Sequence, residues 1–205
     1  MLYHDVVAAY VPLVAFFSLM ALAGKGAQAF LGAESKSRVK AVLDALEEAC
    51  FNTVPPGDRY YNRGTLFKAV WFGTRLKPYC RAGDRYQRGI QSFRIDNNDE
   101  DRNEGLAGQA WFRNATVIVN DLPACPNPWS NDDASCQAYA HRGLLTPQKA
   151  ERLHVKSRSI LATPVRNFKG SRWGVLVLDS RLPDTFGAER EALVTSFATA
   201  LSKML

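Results

Sequence analysis

The sequence predicts an α+β fold: a central, mostly antiparallel sheet flanked by amino- and carboxyl-terminal helices and preceded by one hydrophobic helix. Three observations carry this reading. Residues 35–51 and 189–205 repeat apolar side chains at helical spacing. Between them, short β-like runs alternate with turn signals, the layout of helices laid on an antiparallel sheet. Val6 to Gly24 runs nineteen residues without a charge. The 205 residues, 46% hydrophobic and 22% charged, have an ordinary globular balance that excludes disordered, collagenous and low-complexity chains. Four cysteines at uneven spacings are too few for a disulfide scaffold.

The first element is the uncharged run. At about 1.5 Å per residue it makes a helix of roughly 28 Å, close to the hydrocarbon thickness of a bilayer. Nine of its residues are Leu, Phe or Val, while Tyr10, Pro12, Ser18 and Gly24 work against insertion. It reads as a single-span membrane anchor, with residues 1–33 as anchor and exit linker and 34–205 as the folded domain. A buried or interfacial helix is the alternative, as is a cleaved signal peptide, for which Ala27-Gln28-Ala29 supplies a cleavage-like site but Met1 to Asp5 no cation. Lys25, Lys36, Arg38 and Lys40 follow the run, so the positive-inside rule places the domain in the cytoplasm.

A second helix begins at Ser35 or Ser37, either of which caps it. Its apolar stripe is Val39, Val42, Leu43, Leu46, Ala49 and Cys50, and it ends near Phe51, ahead of Pro55-Pro56-Gly57. The stripe packs on its own domain or on a second copy of the chain. Strands are expected over Thr65–Phe72, Val117–Val119, Ile160–Val165 and Trp173–Leu178, the last two joined by a hairpin turn at 167–172 that contains Gly170. The closing helix carries Leu193, Phe197, Leu201 and Met204 or Leu205 on one stripe.

Four motifs in order resemble a GAF domain, the small-molecule-sensing module of many signalling proteins. They are Gly105-Leu-Ala-Gly-Gln-Ala-Trp111, Val117-Ile-Val-Asn-Asp-Leu122, Ser157-Arg-Ser-Ile-Leu-Ala-Thr-Pro-Val165 and Trp173-Gly-Val-Leu-Val-Leu-Asp-Ser180. With both flanking helices the likeness covers 35–205, and it implies a GAF/PAS-like sheet with a ligand pocket under the 122–157 segment. The resemblance implies ligand contacts at Trp111, Asp121, Trp129, Tyr139, His141, Arg142 and Ser159. Aromatic rings there stack on a planar ligand, and His141 and Arg142 bind an anionic one. Packing of Trp129 and Tyr139 within the lid is the plainer alternative. One GAF branch reduces free methionine sulfoxide with cysteines, one inside the glycine motif and one ahead of the serine-containing strand. Here those places hold Leu106-Ala107 and Leu153-His154-Val155-Lys156.

Charge is uneven along the chain. The eight cations Arg142, Lys149, Arg152, Lys156, Arg158, Arg166, Lys169 and Arg172 face only Glu151, a balance of 8 − 1 = +7 against +6 for the whole chain. Seven of them, from Lys149 to Arg172, are read as a surface for an acidic partner or anionic headgroups, or as attracting a nucleotide-like ligand; a scattered solvated surface is the alternative. No nucleic-acid-binding motif accompanies them. Cys125, Cys136, His141 and His154 are separated by ten, four and twelve residues, which does not suit paired zinc ligands. The run Asp96 to Asp101 lacks the glycine and distal glutamate of a calcium loop. No metal site is expected, and the sequence names no cofactor.

With no P-loop, nucleophile elbow or H-E-x-x-H motif, the chain is expected not to be an enzyme, cysteine-based redox chemistry at Cys125 or Cys136 being the exception considered. The function expected is a membrane-anchored sensory or regulatory subunit that binds a ligand or partner and signals to a separate output protein, with possible homodimerisation through the flanking helices. The alternative is a ligand-free scaffold holding a partner at the membrane.

Overall fold

A computed structural model of the chain describes residues 34–52, 54, 62–83, 92–126, 129–130, 133–153 and 156–205. The apolar segment 6–24, expected to anchor the chain, lies outside the described residues, and among those described no helix is long and apolar enough to cross a membrane. The chain divides into two compact units, Met1–Arg38 and Val39–Leu205, and the second holds every described strand.

A first helix, α1, covers 34–51. It is followed by β1 (Arg63–Val70), β2 (Arg75–Gly83), β3 (Phe93–Arg94), a 3-10 turn (Glu100–Arg102), α2 (Gly105–Arg113) and β4 (Val117–Val119). Then come α3 (Ala134–Arg142), α4 (Pro147–Glu151), β5 (Ser159–Arg166), β6 (Arg172–Ser180) and α5 (Ala188–Ser202). The strands form one six-stranded sheet in the order β3-β2-β1-β6-β5-β4, antiparallel throughout.

Alternation along the strands assigns the two faces. On one face Leu66, Cys80, Leu176, Leu178, Leu161 and Val165 form a core with Val39, Leu43, Leu46 and Cys50 of α1 and Val194, Ala198 and Leu201 of α5. The terminal helices therefore lie on the same side of the sheet, with their apolar stripes turned to it. On the other face Phe67, Leu76, Val175, Val177 and Ala162 pack against Ala107, Ala110 and Trp111 of α2. A bulge sets Leu66 opposite Cys80 but Phe67 opposite Pro78, so Tyr79 is the extra residue; it joins the helix-side core, its ring edge-on to Trp173 at 5.2 Å. Gly174 marks the closest approach of β1 and β6: a Cβ there would stand 1.9 Å from the Phe67 carbonyl oxygen.

Three strands differ from the sequence-based expectation, β3 because its two residues are too few to leave a pattern. The run 65–72 stops at Val70, because Trp71 and Phe72 turn into the left-handed region with φ of 55° and 56°. Its partner β2 was not expected at all: Arg75, Lys77 and Arg81 interrupt its apolar pattern, and the bulge breaks its alternation.

Candidate functional site

A cavity of about 80 Å³ opens between the second face of the sheet and a lid made of α3, α4 and their connections. Strand parity supplies its floor. Arg63, Thr65 and Phe67 of β1 stand beside Arg81 of β2 and Val177 and Asp179 of β6, in register, with Ile160 of β5 opposite Asp179. The start of α2, Gly105 to Ala107, closes one side. The lid contributes Leu122, Tyr139, Gly143, Leu145, Leu153 and Ser157. Its helices are held by local capping. Asp133 accepts from the Ser135 and Cys136 amides at the head of α3, and Thr146 accepts from the Lys149 amide ahead of Pro147 in α4.

Three polar groups of the cavity form one linked set. Arg63 Nε donates to Asp179 Oδ2 at 2.8 Å, and the Ser157 hydroxyl donates to Asp179 Oδ1 at 2.6 Å. The Tyr139 hydroxyl faces the same cavity beside this set. Burial pushes the Tyr139 phenol well above its usual range, Asp179 adds to this, and Arg63 opposes it. Tyr139 therefore remains a neutral O–H at physiological pH. The lining includes two cations, Arg63 and Arg81, and one carboxylate, Asp179.

Behind the lid, Cys125 Sγ and Cys136 Sγ are 2.8 Å apart as free thiols. Both belong to or pack on structure that buries Tyr139 and Leu122. Burial and the neighbouring Cys136 push the Cys125 thiol up to about 12, against the pull of Lys156. The Lys156 ammonium donates to the carbonyls of Ala150, Glu151 and Leu153 and lies 5.4 Å from the centre of the Trp129 ring. Among the described residues no group of three or more His, Cys, Asp or Glu is placed to hold a metal ion.

Of the residues expected to contact a ligand, Tyr139 lines the cavity and the other six do not. Trp111 is buried under the sheet, donating to Asn97 Oδ1, with Arg172 stacked on its ring at 5.1 Å. Ser159 is buried and bonds the carbonyls of Asn120 and Leu182. Asp121 and Arg142 pair with each other on the surface, His141 is exposed, and Trp129 packs on the outside of the lid. Sequence reading missed Arg63, Arg81, Ser157 and Asp179. The available signal was charge placed within strand patterns, legible for Asp179 at the end of Val175-Leu-Val-Leu-Asp179 and hidden for Arg63 and Arg81.

The +7 run does not form one patch. Lys149 is tied to Glu104 and the Ser92 carbonyl, Lys156 to the carbonyls of Ala150, Glu151 and Leu153, and Arg158 to the Leu122 carbonyl. Arg152 is exposed at the end of α4. Arg166, Lys169 and Arg172 stand at the far hairpin, where Arg166 bonds the Gly170 carbonyl and Arg172 the Trp111 carbonyl.

The GAF domain family model matches residues 39–205, the whole of the second unit. The chain belongs to the GAF domain family. No curated protein matches it in sequence. Solved structures similar to this GAF domain include a type II free methionine-R-sulfoxide reductase from Thermoplasma acidophilum, at 18% identity and a TM-score of 0.55, covering 85% of this chain and 94% of that one. A free methionine-R-sulfoxide reductase from Staphylococcus aureus, determined with its substrate, is similar at 14% identity and 0.52, covering 86% and 94%. The GAF domain region of a protein from Geobacter sulfurreducens is similar at 14% and 0.53, covering 84% and 95%. At such identities the likeness establishes the fold alone. It nevertheless corrects the expectation that the chain is not an enzyme: this fold carries enzymes over most of the length matched, so the absence of familiar catalytic motifs is no ground for excluding one.

Proposed function

We propose that this GAF domain is the sensory part of a membrane-anchored regulatory protein, and that its ligand is a small organic anion with an apolar body. The observation that carries the reading is the linked set Arg63–Asp179–Ser157, with Tyr139 and a second guanidinium, Arg81, facing the same otherwise largely apolar cavity. Such a site, apolar with few convergent polar groups, is how ligand pockets are built. Its 80 Å³ is below the roughly 300–1,000 Å³ of pockets for drug-sized molecules. The ligand is therefore small, or the lid yields to a larger one. Anchoring rests on the uncharged run Val6–Gly24, and the cations that follow it favour the cytoplasmic side for the domain by the positive-inside rule. A ligand preferring one arrangement of α1 and α5 would pass its signal to a separate output protein, or to a second copy docked on the same helices.

Native mass spectrometry of the full-length protein, extracted from its host in detergent, tests this. The expected result is a co-purifying small acid, released on denaturation, whose affinity falls at least tenfold in Arg81→Gln. A neutral or cationic ligand, or an affinity indifferent to Arg81→Gln, overturns the anion assignment.

The thiol pair supports a second reading, redox control of the lid. Two sulfurs at 2.8 Å need little movement to close a disulfide. Hydrogen peroxide would take two electrons from the pair, leaving a disulfide and two waters, and would fix the 122–126 segment to α3.

A further inference from the structure

Three large hydrophobic side chains are exposed at two hairpin tips. Trp71 is 63% and Phe72 fully exposed in the β1–β2 turn, and Phe168 is 70% exposed in the β5–β6 turn. The register puts both tips at the same end of the sheet, since Lys68 of β1 faces Gly174 of β6, which faces Val165 of β5. Strands β2, β1, β6 and β5 are consecutive, so the two hairpins stand side by side. Trp71 and Phe72 also occupy the left-handed region, which side chains with a Cβ rarely adopt. Within the domain neither the exposure nor the conformation brings a compensating core contact, and such outliers point to function outside the fold.

The same hairpins carry five exposed cations: Lys68, Arg75 and Lys77 on the first, Arg166 and Lys169 on the second. Two bracket the exposed rings directly, Lys77 at 4.8 Å from the centre of Trp71 and Lys169 at 5.5 Å from that of Phe168. The acidic run beside the first turn is largely neutralised, Asp96 and Asp99 by Arg102 and Glu100 by Arg113.

We propose that the two tips dock on an anionic lipid bilayer, Trp71, Phe72 and Phe168 entering the headgroup boundary while the cations lie against lipid phosphates. Tryptophan and other apolar side chains gain free energy at that boundary, and each cation adds to it over an anionic surface. The convex shape favours lipid: protruding rings need a preformed pocket in a protein partner, whereas a bilayer yields around them. The proposal stands apart from the cavity ligand and from the segment 6–24.

Hydrogen exchange on the full-length protein, mixed with phosphatidylcholine vesicles with and without phosphatidylglycerol, tests it. The expected result is slowed exchange at 68–77 and 166–172 only where phosphatidylglycerol is present, reversed by raised salt. The variant Trp71→Ser/Phe72→Ser/Phe168→Ser loses that protection at an unchanged melting temperature. Lys169→Gln weakens the anionic-vesicle binding read at the tips by roughly fivefold. Equal protection on both vesicle types overturns the proposal, as does protection that survives the triple variant. Tips that stay open to exchange on anionic vesicles overturn it too, and leave a protein as their occupant. The readout is local, so vesicle binding by another part of the chain does not count toward it.

Discussion

Removing the carboxylate of Asp179 leaves Arg63 and Ser157 without the acceptor they share, in a setting where Asp179 is 6% and Arg63 18% exposed. Breaking one partner out of a buried pair costs about 3 kcal/mol or more, so Asp179→Ala is expected to lower unfolding free energy by that amount in urea titrations. Tyr139→Phe, which keeps the buried ring and loses only its hydroxyl, is expected to cost about 1 kcal/mol by the same measurement. Glu104 supplies a pH dependence. Burial pushes its carboxyl up, but hydrogen bonds from Lys149 and the Arg94 amide, with the charges of Lys149 and Arg75, hold it net below the usual range. A depressed folded-state value means the unfolded chain takes up the proton first. Its stabilisation is complete above the ordinary glutamate value of about 4.3 and is lost as pH falls through the lower folded value. In Glu104→Gln the stability of the domain is expected to fall less steeply below about pH 4 than in the native chain.

Among the elements, β1 and β6 are joined most closely at Gly174, where even a methyl group collides with the backbone of Phe67. Gly174→Ala is expected to destabilise by about 3 kcal/mol, seen in urea unfolding, because the ladder must open rather than a side chain swing aside. The lid makes a separate prediction. Mild peroxide treatment is expected to join Cys125 to Cys136, lowering the mass by two hydrogens and raising stability by about 2–3 kcal/mol through the closed loop. Because the thiolate reacts and Cys125 is held up to about 12, the rate should climb with pH without a plateau below about pH 10. Much of this architecture was readable in the chain. The stripes Val39–Cys50 and Leu193–Leu201 and the runs around Ile160–Val165 and Trp173–Leu178 announced the helices and central strands, because each buries one continuous face. What escaped was built from mixed signals: β2 carries cations facing the cavity and solvent between buried residues, and α3 and α4 are short helices held by caps. The cavity escaped for the same reason. Its polar set is assembled across β1, β2 and β6 by register, and no local motif records that Arg63 will meet Asp179, 116 positions away.

Over the whole molecule the sheet is a partition, with the candidate ligand on one side and both terminal helices on the other. Coupling between them must cross the strands, and the shortest route is through β1. Its Gly64 lies so near α1 that an added Cβ would come 3.3 Å from Leu43, while its neighbours Arg63 and Thr65 line the cavity. If the domain signals as proposed, ligand binding is expected to change hydrogen exchange in 39–51 and 188–202 as well as in the lid, and protection confined to the lid would count against a signalling role for the helices. The alternation in β1 also constrains how this protein can be altered. Arg63, Thr65 and Phe67 serve the cavity while Gly64 and Leu66 serve the helices, so deleting one residue between them would turn each set toward the other's surroundings. Point changes here are judged one side chain at a time; a change in length is judged by parity, and a lineage or a designer can lengthen or shorten this strand only two residues at a step.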